Sequence, residues 1–375
     1  MADDNYIMWL SRVNGLGIRK QQALLEEFGS AEAVFYAGEA ELNRCQAITR
    51  ENAGAILRAQ DPGLLAQMAA ELELKGIRFI SRYSYDYPVM LRDVPDAPVG
   101  LYARGSLPPS GMPYIAVIGS RRCTQYGSSV AYKFSRDLAA RGVVIVSGMA
   151  KGIDAMAHRG AIKGGGLTVA VLGCGVDVCY PVENRELMDE IVKNGCVVSE
   201  YPPGTSSYAA NFPARNRIIS GISRGVIVVE AALKSGTSIT VGQALEQGRD
   251  VFAVPGNITS RFSEGTNMLI KNGAVPACDY TDILNELHLE LQLERAIEKG
   301  RESENNAQNN SADNIVNNLA NDERLVYDCI GSEPVVVDEI IYRLGIKAQT
   351  AACALTALEL RGLVQRLPGQ QYTRG

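Results

Sequence analysis

Six short apolar runs recur through the middle of the chain, at 114–118, 143–147, 168–172, 196–199, 226–230 and 251–254. They are rich in Val and Ile, and most stop at Gly, Ser or Pro. Between them, apolar positions recur at helical spacing over about 126–141, 153–163, 184–194, 214–222, 237–248 and 265–272. Continuous apolar strands alternating with amphipathic helices predict parallel strands buried on both faces. The fold class expected for 113–285 is therefore α/β, a Rossmann-like doubly wound parallel sheet. The first two runs set the pattern. Ile115 to Ile118 stops at Gly119-Ser120-Arg121-Arg122, and Val143 to Val146 stops at Ser147-Gly148-Met149-Ala150-Lys151-Gly152.

The flanks read differently. Residues 1–70 read as small helices, and Val13-Asn14-Gly15-Leu16-Gly17-Ile18-Arg19-Lys20 resembles a helix-hairpin-helix turn. Such a turn can offer backbone N–H groups to a phosphate. The same glycines also fit a bundle that binds nothing, and the acidic surroundings favour that reading. Residues 71–112 form a connecting extension packed on the core, with short strands at 77–80 and 99–103. Pro108-Pro109-Ser110-Gly111-Met112-Pro113 breaks the chain before the first core strand. Residues 286–321 are Glu-rich and then Asn-rich, too polar to fold alone, and read as a linker. Residues 322–375 give three helical segments and a hairpin with a Pro368-Gly369 tip, the pattern of a winged helix.

Charge narrows the field. The net charge is −5, yet 113–285 carries +3, against −3 for 1–112, −4 for 286–321 and −1 for 322–375. A nucleic-acid partner would bind this middle segment through a local patch. None of the eight cysteines forms a CxxC pair, and the two histidines, His158 and His288, are far apart. That spacing excludes an ordinary zinc site, so no metal is expected and the thiols read as reduced. The acidic start lacks a signal-peptide layout, and no apolar run reaches the ~18 residues of a membrane span. A cytoplasmic protein with no membrane partner is expected.

The chemistry gathers where strands end. In open α/β sheets, ligands sit outside the carboxyl ends of the strands, where helix starts favour anions. Gly119, Ser120, Arg121 and Arg122 bring two guanidinium groups to that edge, suited to forked phosphate recognition. Ser147, Gly148, Lys151 and Gly152 bring amides and an ammonium. Arg215, Asn216 and Arg217 open one helix, and Ser235, Gly236 and Thr237 open another beside Lys234. Four anion-friendly elements on one rim predict a phosphate-backbone site.

An enzymatic reading finds less support. Asp154 and His158 are four apart on one helix and can touch. A third member of a triad is not evident, so a helix-start acid and a satisfied histidine that steady the Lys151 loop is the better reading. A Walker A motif is absent, and Gly173-Cys174-Gly175 is only a fragment of a dinucleotide fingerprint.

These stretches together resemble the DprA/Smf family. The resemblance is carried by Gly119-Ser120-Arg121, Ser147 to Asp154 with Ala157-His158, and Gly173-Cys174-Gly175-Val176-Asp177 with Tyr180-Pro181 and Asn184. It also rests on Ser199-Glu200-Tyr201-Pro202, Phe212 to Gly221, Val229-Glu230-Ala231 with Ser235-Gly236-Thr237, and Val254-Pro255-Gly256 with Gly265-Thr266-Asn267. It is dense over 75–285. It implies an N-terminal sterile-alpha-motif-like bundle, a Rossmann-like core and a C-terminal winged helix. It further implies a non-catalytic protein without cofactor that binds and protects single-stranded DNA and loads the RecA recombinase during natural transformation, as a homodimer through the core. The family's pocket falls here on Arg121 or Arg122, Lys151, the Arg215-Asn216-Arg217 turn and Lys234. The runner-up is a nucleotide-processing hydrolase, because the fold also resembles the cytokinin-activating phosphoribohydrolases. Lys234-Ser235-Gly236-Thr237-Ser238 lacks the double glycine and following glutamate that those enzymes carry.

Overall fold

The computed structural model describes residues 2–289, 319–331 and 334–374. The linker expected at 286–321 lies mostly outside the described residues. The chain divides into two compact units, Met1–Glu290 and Leu291–Gly375.

The first unit begins with six helices: α1 (Ala2–Arg12), α2 (Ile18–Phe28), α3 (Ala31–Tyr36), α4 (Glu39–Leu42), α5 (Arg50–Ala59) and α6 (Pro62–Leu74). Ser30, Thr49 and Asp61 cap α3, α5 and α6 with side-chain oxygens, as short polar residues do at helix starts. Trp9 is fully buried in this bundle beside Phe35 and Ile56, and its indole N–H donates to the Ala59 carbonyl at 2.7 Å.

One nine-stranded sheet follows. Its strands are β1 (Ile77–Ser81), β2 (Gly100–Gly105), β3 (Tyr114–Ile118), β4 (Val144–Ser147), β5 (Thr168–Val171), β6 (Gly195–Ser199), β7 (Gly225–Val228), β8 (Asp250–Ala253) and β9 (Val275–Pro276). The order across the sheet is β1-β2-β6-β5-β4-β3-β7-β8-β9. From β6 to β9 all neighbours are parallel. The helices between them are α7 (Val89–Arg92), α8 (Gln125–Ala139), α9 (Ile153–Lys163), α10 (Arg185–Lys193), α11 (Asn211–Gly221), α12 (Thr237–Glu246), α13 (Glu264–Lys271) and α14 (Tyr280–Glu286).

Alternate residues of β5 enter different apolar cores. Val169 and Val171 join one with Ala116 and Val228. Ala170 joins another with Val197 and Met188. Both faces are thus covered, which is why these strands read as unbroken apolar runs.

The stretch 71–112 does more than pack on the core. It contributes β1 and β2 to the sheet itself, antiparallel, with β2 laid against β6.

β3 leads to β4, β5 and β6 on one side, while β7, β8 and β9 lie on the other. The order therefore reverses at β3 and β7, and the loops leaving these two strands part to leave a crevice.

The second unit holds α15 (Asn321–Cys329), β10 (Val335–Val336), α16 (Val337–Leu344), α17 (Ala348–Leu360), β11 (Val364–Leu367) and β12 (Gln371–Arg374). Its sheet runs β10-β12-β11 around Val326, Ile340, Leu355 and Leu358. Three helices and a two-stranded wing match the winged helix read from the sequence.

Candidate nucleic-acid interface

A cleft of about 520 Å³ opens at the reversal point. The β3 loop contributes Gly119, Ser120 and Arg121 to it, and the start of α12 contributes Ser235, Gly236 and Thr237. The first turns of α11 supply Phe212, Arg215 and Asn216, and the loop after β4 reaches in with Ala150 and Asp154. α12 starts on Gly236 with no side-chain cap; the Ser238 and Ile239 amides donate to the Ser235 and Gly236 carbonyls, so the Thr237 amide is the one left to face an anion.

The loop after β4 is held in an unusual shape. Met149 sits at φ 54, a left-handed conformation that costs energy outside glycine. Three side chains hold it there. Asp154 accepts from the amides of Gly148 at 3.2 Å and Ala150 at 3.4 Å. Asn184 donates to the Met149 carbonyl at 2.9 Å. Arg215 donates to the Gly148 carbonyl at 2.9 Å and to the Val171 carbonyl. Gly148 lies so close under the Arg215 guanidinium that a Cβ there would meet it at 2.4 Å. Gly152, at φ 78, likewise abuts the Ser120 carbonyl, and so locks the two loops together.

The predicted cations have different fates. Arg121 and Arg122 are both exposed, but only Arg121 lines the cleft, its guanidinium 5.6 Å from the Phe212 ring centre. Arg215 is 3% exposed, and burial lowers its pKa to about 10, against the pull of Asp154. It remains charged at neutral pH and serves the loop as much as the cleft. The same burial raises the Asp154 pKa, with Arg215 opposing. Arg217 turns away from the cleft altogether. It pairs with Glu200 and lies 3.5 Å from Asp96, in a separate crevice. Lys151 is exposed and bound to Glu183. Lys234 is exposed beside α12. Ser147 is buried and donates to the Val117 carbonyl at 2.6 Å. The structure thus brings Arg121, Arg215 and Asn216 to the cleft wall, and leaves Arg122, Lys151, Arg217 and Lys234 off it.

Two aromatic residues complete the wall. Phe212 and Tyr180 both line the cleft, their rings 5.2 Å apart and tilted. Aromatic rings beside a guanidinium suit nucleobases. Their signal in the sequence is an aromatic residue set within Gly- or Arg-rich loops, Tyr180 after Gly173-Cys174-Gly175 and Phe212 before Arg215-Asn216-Arg217.

Asp154 and His158 are held by different partners, Asp154 by the loop amides and His158 by Thr168. His158 Nδ1 lies 2.7 Å from Thr168 Oγ1, whose hydroxyl donates to the Ile145 carbonyl at 2.8 Å. The ring is fully buried, and burial lowers its pKa to about 3. Among the described residues no cluster of His, Cys, Asp and Glu could hold a metal ion, and all eight cysteines are free.

Comparison with known proteins decides the family. The family model described as DNA recombination-mediator protein A matches residues 78–288, and the DprA winged helix domain matches 311–370. The chain belongs to the DprA/Smf family. DNA processing protein DprA of Streptococcus pneumoniae is 47% identical over 200 residues, covering 53% of this chain and 71% of that protein. The crystal structure of a Streptococcus pneumoniae DprA aligns with TM-score 0.66 and 37% identity, over 75% of this chain and 97% of that one. DNA processing protein A of Helicobacter pylori, whose structure was described for its single-stranded DNA binding mode, aligns with TM-score 0.51 and 31% identity, over 56% and 95%. Within the described residues of this DprA/Smf chain, no helix is long and apolar enough to cross a membrane.

Proposed function

We propose that this chain binds single-stranded DNA in the cleft at the reversal point, shields it, and hands it to a RecA recombinase, acting in the cytoplasm as a homodimer through the sheet-bearing unit. The observation that carries the binding reading is the meeting of Arg121, the Phe212–Tyr180 rings and the uncapped start of α12 in one cleft. The Thr237 amide and Arg121 take phosphates, and the rings take bases. The Helicobacter pylori relative supports this choice of ligand. The role is one of binding rather than turnover, since His158 is sealed from the cleft and Asp154 is committed to its loop.

The test is a titration of single-stranded and duplex oligonucleotides across a salt series. With roughly three phosphates neutralised, by Arg121, Arg215 and Lys151 once it leaves Glu183, log K against log salt should fall with a slope near −2. Removing residues 322–375, a unit of net charge −1, should leave single-strand affinity nearly intact. A flat salt response, or a preference for duplex, would overturn the reading.

A further inference from the structure

A second crevice, of about 310 Å³, opens on the other flank of α11, a size that admits a nucleotide. α11 lends Pro213, Arg215 and Asn216 to the first cleft, and Ala214 and Arg217 to this one. Glu200 to Pro202 follow β6, and Pro98 to Gly100 lead into its antiparallel neighbour β2. Both depressions therefore lie along the same sheet edge, with one turn of helix between them.

Two independent features mark the crevice. α2, eleven residues long, starts on Gly17 with no side-chain cap, and Leu16, Gly17 and Ile18 form part of the wall. The first amides of α2 can therefore take an anion. Opposite stands Arg217, its side chain 6% exposed. Its Nε and Nη2 face Asp96 and Glu200, but its buried Nη1 has no acceptor, while the Glu200 carboxylate also meets the Tyr201 hydroxyl. Buried donors and acceptors are rarely left unmatched.

A bare anion does not fit this pair, because Glu200 and Asp96 already outweigh the charge of Arg217. The missing partner is an acceptor for Arg217 Nη1, beside a carboxylate that can accept a further donor, and a nucleobase edge presents an acceptor and a donor side by side. We propose that the crevice binds one nucleotide unit, with its phosphate on the first amides of α2 and its base edge against Arg217 and Glu200. The unit comes either from the DNA strand leaving the cleft or from a free nucleotide. The first source rests on the single-strand reading above, and the second does not.

The probe variant is Gly17→Asp. Gly17 lies at φ −68 and has open space where a Cβ would stand. Asp is a good helix cap, so α2 should keep or gain stability while the new carboxylate occupies the amides. Arg19→Glu, an exposed change in the same turn, serves if the first variant folds poorly. Affinity is measured for oligodeoxynucleotides of increasing length, and deoxyadenosine monophosphate binding is followed by amide chemical shifts. If the strand supplies the unit, the variant should bind long oligonucleotides about three- to tenfold more weakly and the shortest ones as before. If a free nucleotide supplies it, long-strand affinity should hold, while the mononucleotide shifts of Ile18, Arg19 and Tyr201 vanish in the variant. Unchanged affinity at every length, together with no mononucleotide shift there in the parent protein, would overturn the proposal. Arg121→Ala separates the two readings, because it should weaken the shortest oligonucleotides and leave the mononucleotide shifts in place.

Discussion

Lys151 Nζ lies 2.5 Å from Glu183 Oε1, and both side chains are more than half exposed. The pairing lowers the Glu183 pKa, so its charge is secure at neutral pH. The carboxylate stands where a phosphate oxygen would, so a nucleic acid must displace it to reach the lysine. Glu183→Gln should therefore tighten single-strand binding about threefold, a small gain because exposed pairs are weak. Lys151→Glu, a charge reversal just off the cleft wall, should weaken it by about three- to tenfold with an unchanged melting temperature. Equal affinity in both variants and the parent would place the strand's path away from this pair.

Arg121 and Arg122 should separate cleanly. Arg121 lies over Phe212 and lines the cleft, and Arg122 does not. Arg121→Ala should cost about tenfold in single-strand affinity, from a lost charge-assisted contact and a disturbed stacking wall. Arg122→Ala should cost less than about threefold. A filter-binding titration of both variants checks this, and the reverse order would assign the DNA contact to Arg122.

Arg215→Ala should behave as a folding mutation. It removes two donors from buried carbonyls and leaves Asp154 without its counter-charge. A loss on the order of 3 kcal/mol is expected, seen as an earlier urea midpoint, together with weaker DNA binding as the Met149 loop relaxes. Parental stability with reduced affinity would make Arg215 a contact residue only.

His158 makes stability pH-dependent. Its folded pKa of about 3 lies below the ordinary histidine value of 6.5. Above pH 6.5 the ring is neutral in both states. Below it, the unfolded chain takes up a proton that the folded chain refuses, so stability falls as pH drops toward 3. Between pH 7.5 and pH 5 this amounts to about 2 kcal/mol. His158→Asn lacks that proton, so its stability deficit relative to the parent should shrink by this amount on acidification. A deficit that stays constant from pH 7.5 to pH 5 would show that the imidazole is not held neutral.

The parallel strands were legible because burial on both faces leaves an unbroken apolar run, and helix periodicity placed their connections to within a few residues. The partner of β2 was not legible, since a short strand carries no mark of what it will pair with. The fates of Arg215 and Arg217 were misjudged for a geometric reason. Two residues on, a helix has turned by about 200°, so one arginine enters the loop floor at Gly148 while the other faces Glu200. Read along the chain they are twin cations, but around the helix they are opposites. The pairing of Lys151 with Glu183 carries no sequence signal, because the two lie 32 residues apart and only the fold brings a carboxylate to that ammonium.

The ribbon formed by β1 and β2 decides where the chain can be cut. β2 occupies the flank of β6, and β1 closes that side of the sheet in turn. A fragment begun at Tyr114 would keep every parallel strand, yet it would bare the hydrogen-bonding row of β6 along an apolar strand. Such an edge recruits another strand from solution. The parallel array is therefore not a detachable module: freed of its antiparallel margin, it would gain a sticky side and lose its solubility before it lost its fold.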